Sequence, residues 1–193
     1  MLTLDTDAIL TRFEILQTTD PGSRFVPFAI EASWITGKWE KLRNYLQLYS
    51  QQGTGDFNIG VGLALDAIRQ GSYSRFGDII CGLRLSVAKS LNANSVASLQ
   101  SCHDSILRLH ALAEMESIAG LDSRSEKDAL PKIRAALSRR LDILGGHISD
   151  KQYLLGLRRA MMELTYVALV ILLLKGQSLT LTHVQGATSP IQT

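Results

Sequence analysis

The sequence has 193 residues, of which 46% are hydrophobic and 20% are charged, and its formal net charge is +2. A chain of this length and composition is typical of one globular domain and is too short for a two-lobed enzyme. The balanced charge excludes a strongly basic surface for nucleic acid or for an anionic membrane. Two cysteines are too few for a disulfide framework, and the N-terminus lacks signal-peptide features. These features predict an intracellular soluble protein.

Helix-breaking residues divide the chain into roughly eight predicted helices with short connections. Five breaks fall, in chain order, at residues 20–22, 52–55, 92–95, 121–125 and 145–146, and two more fall at Gly37 and Gly71. Between them, apolar residues recur at helical spacing, as in Ile59, Leu63 and Ala67, whereas no segment alternates as a β-strand does. Because short connections favour antiparallel neighbours, the sequence predicts an all-α fold built from antiparallel helix pairs.

One motif occurs twice in the first half of the chain. Its members pair as Gly37 with Gly71, Trp39 with Tyr73, and Leu42 with Phe76, each pair 34 residues apart. That period is typical of tetratricopeptide (TPR) helix pairs. The glycine allows a tight turn, the aromatic residue begins the second helix and packs on the first, and the apolar residue continues the inward face. These six residues are the structural repeat that predicts a TPR-like α-solenoid.

Two further expectations follow from the repeat. Trp34 and Trp39 should both be buried between the first two paired helices. A third pair, at residues 95–118 and 125–144, lacks the glycine and aromatic motif and represents a degenerate repeat. Because a solenoid element cannot bury its apolar face alone, neighbouring repeats should cover both ends of the array.

The residues that could bind a metal are not spaced as in known sites. Cys81, Cys102, His103 and His110 lack the short ligand spacings of zinc sites. His110 lies four residues before Glu114 on one predicted helix, which indicates packing or a contact within the helix. The sequence therefore predicts no metal site.

No residue pattern predicts catalysis or a bound cofactor. Gly60 and Gly62 lack the third glycine of a dinucleotide fingerprint and indicate close helix packing instead. The phosphate-binding loop and the protein-kinase motifs are absent from the sequence. The arginine pairs at residues 139–140 and 158–159 are expected to be solvated. We therefore predict that the chain is not an enzyme.

Four segments carry a more specific similarity, in a consistent order and spacing. They are residues 31–42 (EASWITGKWEKL), 57–68 (FNIGVGLALDAI), 107–116 (LRLHALAEME) and 155–163 (LGLRRAMME). Together they resemble the FAT domain of the phosphatidylinositol-kinase-related protein kinases (PIKK). The third segment is similar in particular to the ATR checkpoint branch of that family.

The resemblance implies a FAT-type helical scaffold that contacts its own kinase domain or a partner subunit and takes part in a dimer. It implies a nuclear parent enzyme, a serine/threonine protein kinase that signals DNA damage and replication stress. This chain would hold none of the catalytic residues, and neither nucleic acid nor membrane would be a direct partner. The alternative is an independent TPR-like adaptor that binds partner proteins in a concave groove.

The last part of the chain departs from the resemblance. We expect residues 1–163 to form the FAT-type helical repeat segment and residues 164–193 to be a divergent tail, apolar and then polar, from an altered reading frame or retained intron. The polar end of this tail, residues 177–193, shows little helical pattern. The apolar run at residues 164–174 (LTYVALVILLL) has eleven residues, whereas a helix needs about 20 to cross a bilayer. A buried helix is therefore favoured over a membrane anchor.

Overall fold

The computed structural model describes residues 26–49, 56–93, 99–120 and 129–185, with side chains described up to residue 166. In these ranges the chain forms seven α-helices and no strand, which confirms the predicted all-α class. The helices are α1 (Val26–Ile35), α2 (Trp39–Tyr49), α3 (Phe57–Arg69), α4 (Tyr73–Ala93), α5 (Leu99–Ala119), α6 (Ala129–Ile143) and α7 (Ile148–Gln185). The helix predicted before residue 20 lies outside the described residues.

Local sequence explains several helix ends. Asp56 precedes α3 and its side chain accepts hydrogen bonds from the backbone N–H groups of Asn58 and Ile59, which the first helical turn cannot satisfy internally. Pro27 and Pro131 each lie in the first turn of a helix, where proline lacks only an N–H that would be unpaired.

The turns that join α1 to α2 and α3 to α4 have the same geometry. Gly37 and Gly71 both adopt φ 70°, a left-handed conformation that glycine reaches without a steric penalty. The N–H of Lys38 donates to the carbonyl of Ser33 at 2.8 Å, and the N–H of Ser72 donates to Ala67 at 2.9 Å. Each bond spans five residues, as in the Schellman motif that ends many helices.

The helices form three consecutive pairs, with α7 laid across them. Helix α1 packs on α2, α3 on α4, and α5 on α6, while α3 also contacts both helices of the first pair and α4 contacts α5. Helix α7 packs on α1, α3 and α5, which are the first helices of the three pairs. One continuous core results, and its largest fully buried side chains come from six of the helices. They include Trp34, Leu42, Leu65, Ile80, Leu112, Met115 and Leu154.

Close approach of α3 to its neighbours depends on two glycines. A Cβ added at Gly62 would lie 2.5 Å from Cγ2 of Ile30 on α1, and a Cβ at Gly60 would overlap the Leu83 side chain on α4. Real side chains do not tolerate such contacts without movement. The prediction that these glycines serve close helix packing is therefore confirmed.

Helix α7 passes residue 163 without a break and continues to Gln185. The polar end of the tail, which shows little helical pattern in the sequence, is helical as far as residue 185. Within the described ranges, none of the helices combines the length and apolar character needed to cross a membrane. The domain boundary at residue 163 stays a prediction.

Candidate functional site along helix α7

The six repeat residues occupy equivalent places in the first two helix pairs. Trp39 and Tyr73 are the first residues of α2 and α4, and Leu42 and Phe76 are buried one turn further on. The predicted burial of Trp39 is too strong, since its side chain is only partly buried, and the equivalent Tyr73 is 37% exposed. Side chains at the first position of a helix point back past its N-terminus, toward the edge of the core. Trp34, in contrast, is fully buried.

The first half of α7 is the place where the separate helix pairs are joined. Leu154, Leu157, Ala160 and Met161 recur at helical spacing and are fully buried against the other helices. Gly156 lies beside the ring of Trp34, and a Cβ added at this glycine would lie 3.8 Å from the indole. Helix α7 carries residues 155–163, one of the four segments on which the FAT resemblance rests. The other three segments include parts of α1, α3 and α5, which pack on α7.

A buried ion pair fixes α7 to α5 and α6. The Arg158 guanidinium donates two hydrogen bonds to the Glu114 carboxylate, from Nη2 at 2.7 Å and from Nε at 3.3 Å. Nη2 also donates to the carbonyl of Leu137 on α6 at 3.1 Å. The Glu114 side chain is fully buried, so its charge depends on this partner. The expectation that Arg158 is solvated is wrong, because helix α7 carries it into the core.

A second set of polar contacts fixes α7 to the first helix pair. The Trp39 indole N–H donates to Oε1 of Glu163 at 3.2 Å, and the Arg159 guanidinium donates to the backbone carbonyl of Ile35. Both hydrogen bonds lie beside the turn formed by Gly37. The Arg159 side chain is therefore also hydrogen-bonded. Residues 31–42 are joined to residues 155–163 by these two hydrogen bonds.

A polar cavity of about 190 Å³ lies where α1, α3, α5 and α7 meet. The Asn58 amide donates to the Glu31 carboxylate at 2.9 Å, and the Arg108 guanidinium lies 5.2 Å from the centre of the Phe57 ring. The Tyr153 hydroxyl is buried and has no hydrogen-bond partner among the described residues.

Burial controls the acid–base properties of this cavity. It raises the pKa of Glu31, and the nearby Asp56 carboxylate raises that pKa further. Burial likewise raises the pKa of Tyr153, with a smaller contribution from Glu31. None of the described residues that line the cavity is an activated nucleophile. Its arginine, Arg108, shares the lining with the carboxylates of Glu31 and Asp104. Its polar groups orient four helices.

The structure brings together a set of metal-binding side chains that the sequence did not predict. His103 on α5, His147 in the turn before α7 and Asp150 in the first turn of α7 have ligand atoms within 4.8 Å of one another. No other group of three such residues occurs in the described part of the chain, so Cys81, Cys102 and His110 join no cluster. The sequence signal for this group is that His147 and Asp150 lie three residues apart at the start of one helix, so that they share one face.

A model of the FAT domain matches residues 26–178. This chain belongs to the FAT-domain family. The match covers helices α1 to α6 and most of α7. It confirms the resemblance at the level of the family, which is found in PIKK enzymes. The FAT domain is a helical, non-catalytic domain of these kinases, consistent with a chain that acts as scaffold. No solved structure gave a significant match.

Proposed function

We propose that this FAT-domain chain is a non-catalytic scaffold segment of an ATR-like protein kinase that acts in the nucleus to signal DNA damage and replication stress. The observation that carries the proposal is the FAT match over residues 26–178. The ATR-like branch is supported by residues 107–116, which resemble that branch in particular. Glu114 of this segment makes the buried ion pair with Arg158, so the branch-like sequence lies at the centre of the scaffold.

The contacts along α7 are those expected of a helix that holds the three helix pairs in fixed positions. A stack of helix pairs alone contacts only nearest neighbours and can bend between repeats. Here α7 contacts the first helix of every pair, and its polar contacts extend from Ile35 to Leu137. Motion of one pair against another must break buried interactions, so the segment can hold a bound kinase domain in a fixed position.

The outer face of α7 offers a surface for that kinase domain. Ile148, Leu155, Met162 and Tyr166 are exposed and are spaced so that they follow one side of the helix. Arg159 lies between Leu155 and Met162 on the same side, so this apolar stripe is interrupted by one charge. Exposed apolar side chains that share one face of a helix are typical of a surface that another element covers. We assign this stripe to contact with the parent's own kinase domain.

The same geometry argues against the peptide-binding adaptor. An adaptor of the TPR type binds an extended peptide on the face lined by the first helices of its pairs. In this chain α7 covers that face. Arg43, a basic residue on α2, lies 3.7 Å from the Asp66 carboxylate and is engaged in an ion pair.

Affinity purification of the tagged chain from cells of its own organism, with bound proteins identified by mass spectrometry, tests the proposal. We expect an ATR-like kinase and its partner subunit in the bound fraction. Recovery of a kinase from another PIKK branch would overturn the ATR assignment and leave the scaffold role intact. Recovery only of unrelated proteins, bound through short peptides, would instead establish the adaptor.

A pair of matched variants tests the stripe. Leu155→Glu combined with Met162→Glu should abolish binding of the kinase, because two charges would enter an apolar interface. Leu85→Glu, at a similarly exposed position on α4, should leave binding unchanged. Equal binding by the wild type and both variants would place the contact elsewhere.

A further inference from the structure

Two imidazoles and one carboxylate converge where α5 meets the start of α7. Nε2 of His103 lies 2.7 Å from Oδ2 of Asp150. The rings of His103 and His147 lie 4.8 Å apart between centres, with their planes inclined by 41°. A hydrogen bond accounts for the contact of His103 with Asp150, but it does not account for the third ligand atom, that of His147, within 4.8 Å of both.

These donors match the preferences of a borderline transition metal. Zinc binds histidine nitrogen and carboxylate oxygen at about 2.0–2.2 Å, and open zinc sites use three protein ligands with the fourth position left for water or another ligand. In tetrahedral geometry such ligand atoms lie about 3.3 Å apart. The ligand atoms of His103 and Asp150 are slightly closer than this, and all three ligand atoms lie within 4.8 Å of one another, close to the separation that such a site requires.

The surroundings favour entry and retention of an ion. His147 is exposed to solvent, while His103 and Asp150 are partly buried and are held by their contact with each other. A site of this kind needs a path from solvent and at least two ligands on rigid elements. Helices α5 and α7 supply those elements, and the turn that contains Gly145 positions His147.

We propose that His103, His147 and Asp150 form a zinc-binding site that fastens the turn between α6 and α7 to helix α5. This proposal departs from the sequence-based prediction of no metal, because the ligands come from segments more than 40 residues apart. It is independent of the proposed kinase branch. Bound zinc would close the loop of chain between residues 103 and 147 and so stabilise the third helix pair.

Zinc titration of the untagged, chelator-treated full chain tests the site, with calorimetry as the readout. We expect one equivalent to bind and His147→Ala to weaken binding by at least about tenfold, as for loss of a metal-site residue. Asp150→Asn should weaken it as well. His110→Ala, on the same helix as His103 but outside the cluster, should bind zinc as the wild type does. Equal affinity in the wild type and His147→Ala would overturn the proposal.

Two further measurements separate this site from other sources of zinc binding. Thiolates also bind zinc, so the variant Cys81→Ser, Cys102→Ser should keep the wild-type affinity, and its loss of binding would overturn the assignment. At equal zinc concentration, the melting temperature of the wild type should rise by more than that of His147→Ala. An equal increase in both proteins would likewise contradict the site.

Discussion

Helices α1 to α4 pack mainly through apolar and small side chains, and their buried Asp66 pairs with a partly exposed Arg43. Helices α5 to α7 are joined in addition by an ion pair whose carboxylate is fully buried. In the first region, residues 26–93, Gly62 allows α3 to approach Ile30, and Ala29, Ala64 and Ala67 are fully buried. In the second region, residues 99–166, the fully buried Glu114 carboxylate requires Arg158. The first region is stabilised by close packing of short repeats. The second is stabilised by charge pairing between distant segments.

This difference has a physical origin in the turns between the helices and in the number of side chains that each helix buries. The first region uses two equivalent turns, at Gly37 and Gly71, so neighbouring helices meet in a repeated register. The third pair lacks the motif, and α6 and the turn after it contribute few buried side chains, among them Leu137 and Leu144. Hydrophobic burial alone therefore stabilises α6 less, and Arg158 reaches the Leu137 carbonyl to fix its position.

The largest effect is expected for Arg158→Ala in the second region. It leaves Glu114 buried without a counter-charge, and breaking a buried pair in this way costs about 3–5 kcal/mol of the free energy of unfolding. Urea denaturation measures the loss. The matched control is Arg84→Ala, which breaks the exposed pair with Glu116 and should cost about 0–1 kcal/mol.

A double substitution separates the charge from the packing at this position. Glu114→Leu with Arg158→Met should recover most of the stability, since apolar side chains of similar size often replace buried ion pairs without loss. If Arg158→Ala is no worse than Arg84→Ala, charge pairing does not stabilise the second region.

The two tryptophans test whether the first region depends on full burial. Trp34→Ala should cost about 3–5 kcal/mol, the range for removing a buried aromatic side chain. Trp39→Ala should cost less, about 1–3 kcal/mol, because the side chain is only partly buried. Trp39→Phe removes the hydrogen bond to Glu163 together with part of the ring and should cost at least about 0.5–1.5 kcal/mol. Chemical denaturation measures all three, and equal losses for both alanine variants would contradict the difference in burial.

Gly62→Ala tests the close packing of α3 on α1. The added methyl group meets Ile30, and overpacking a core of this kind costs about 1–3 kcal/mol. Gly82→Ala on α4 provides the control, because its added Cβ meets no atom within 4 Å and should stabilise the helix by about 0.5–1 kcal/mol. Thermal denaturation of both variants measures the difference, and effects of the same sign would contradict it.

The equivalence of the two turns predicts equal effects at Gly37 and Gly71. Alanine at either position must adopt a left-handed conformation and should cost about 1–2 kcal/mol. Chemical denaturation should give the same loss for both variants within error. Gly77→Ala, inside α4 with open space around it, should instead be neutral or stabilising. A clear difference between Gly37→Ala and Gly71→Ala would show that the repeats are not equivalent.

The smallest effect on the free energy of unfolding is expected for Glu31, whose side chain lines the cavity between the two regions. Because its folded-state pKa is raised, its contribution to stability is present at low pH and is lost as the pH rises through that pKa. Glu31→Gln should therefore gain stability relative to the wild type at about pH 7 and lose this advantage near the ordinary glutamate pKa of 4.5. Glu40→Gln should show the opposite sign, since Arg69 lowers the pKa of Glu40. Denaturation at several pH values measures both.

Local patterns determined the helices and the first two turns of this protein. Helical spacing of apolar residues is set within one chain segment, and the 34-residue interval between Gly37 and Gly71 reflects a repeated local geometry. The four FAT-like segments likewise indicated the family that the match to residues 26–178 shows. Such features depend on neighbours along the chain, so the sequence alone displays them.

Only the tertiary structure decided where α7 lies and what its polar residues contact. The sequence could not show that Arg158 meets Glu114, that Glu163 meets Trp39, or that His103 lies beside His147 and Asp150. Each contact joins residues more than 40 positions apart, and the path of the chain between them depends on the summed packing of several helices. The repeat determined the layers of this protein, and the packing of α7 across them created its candidate site.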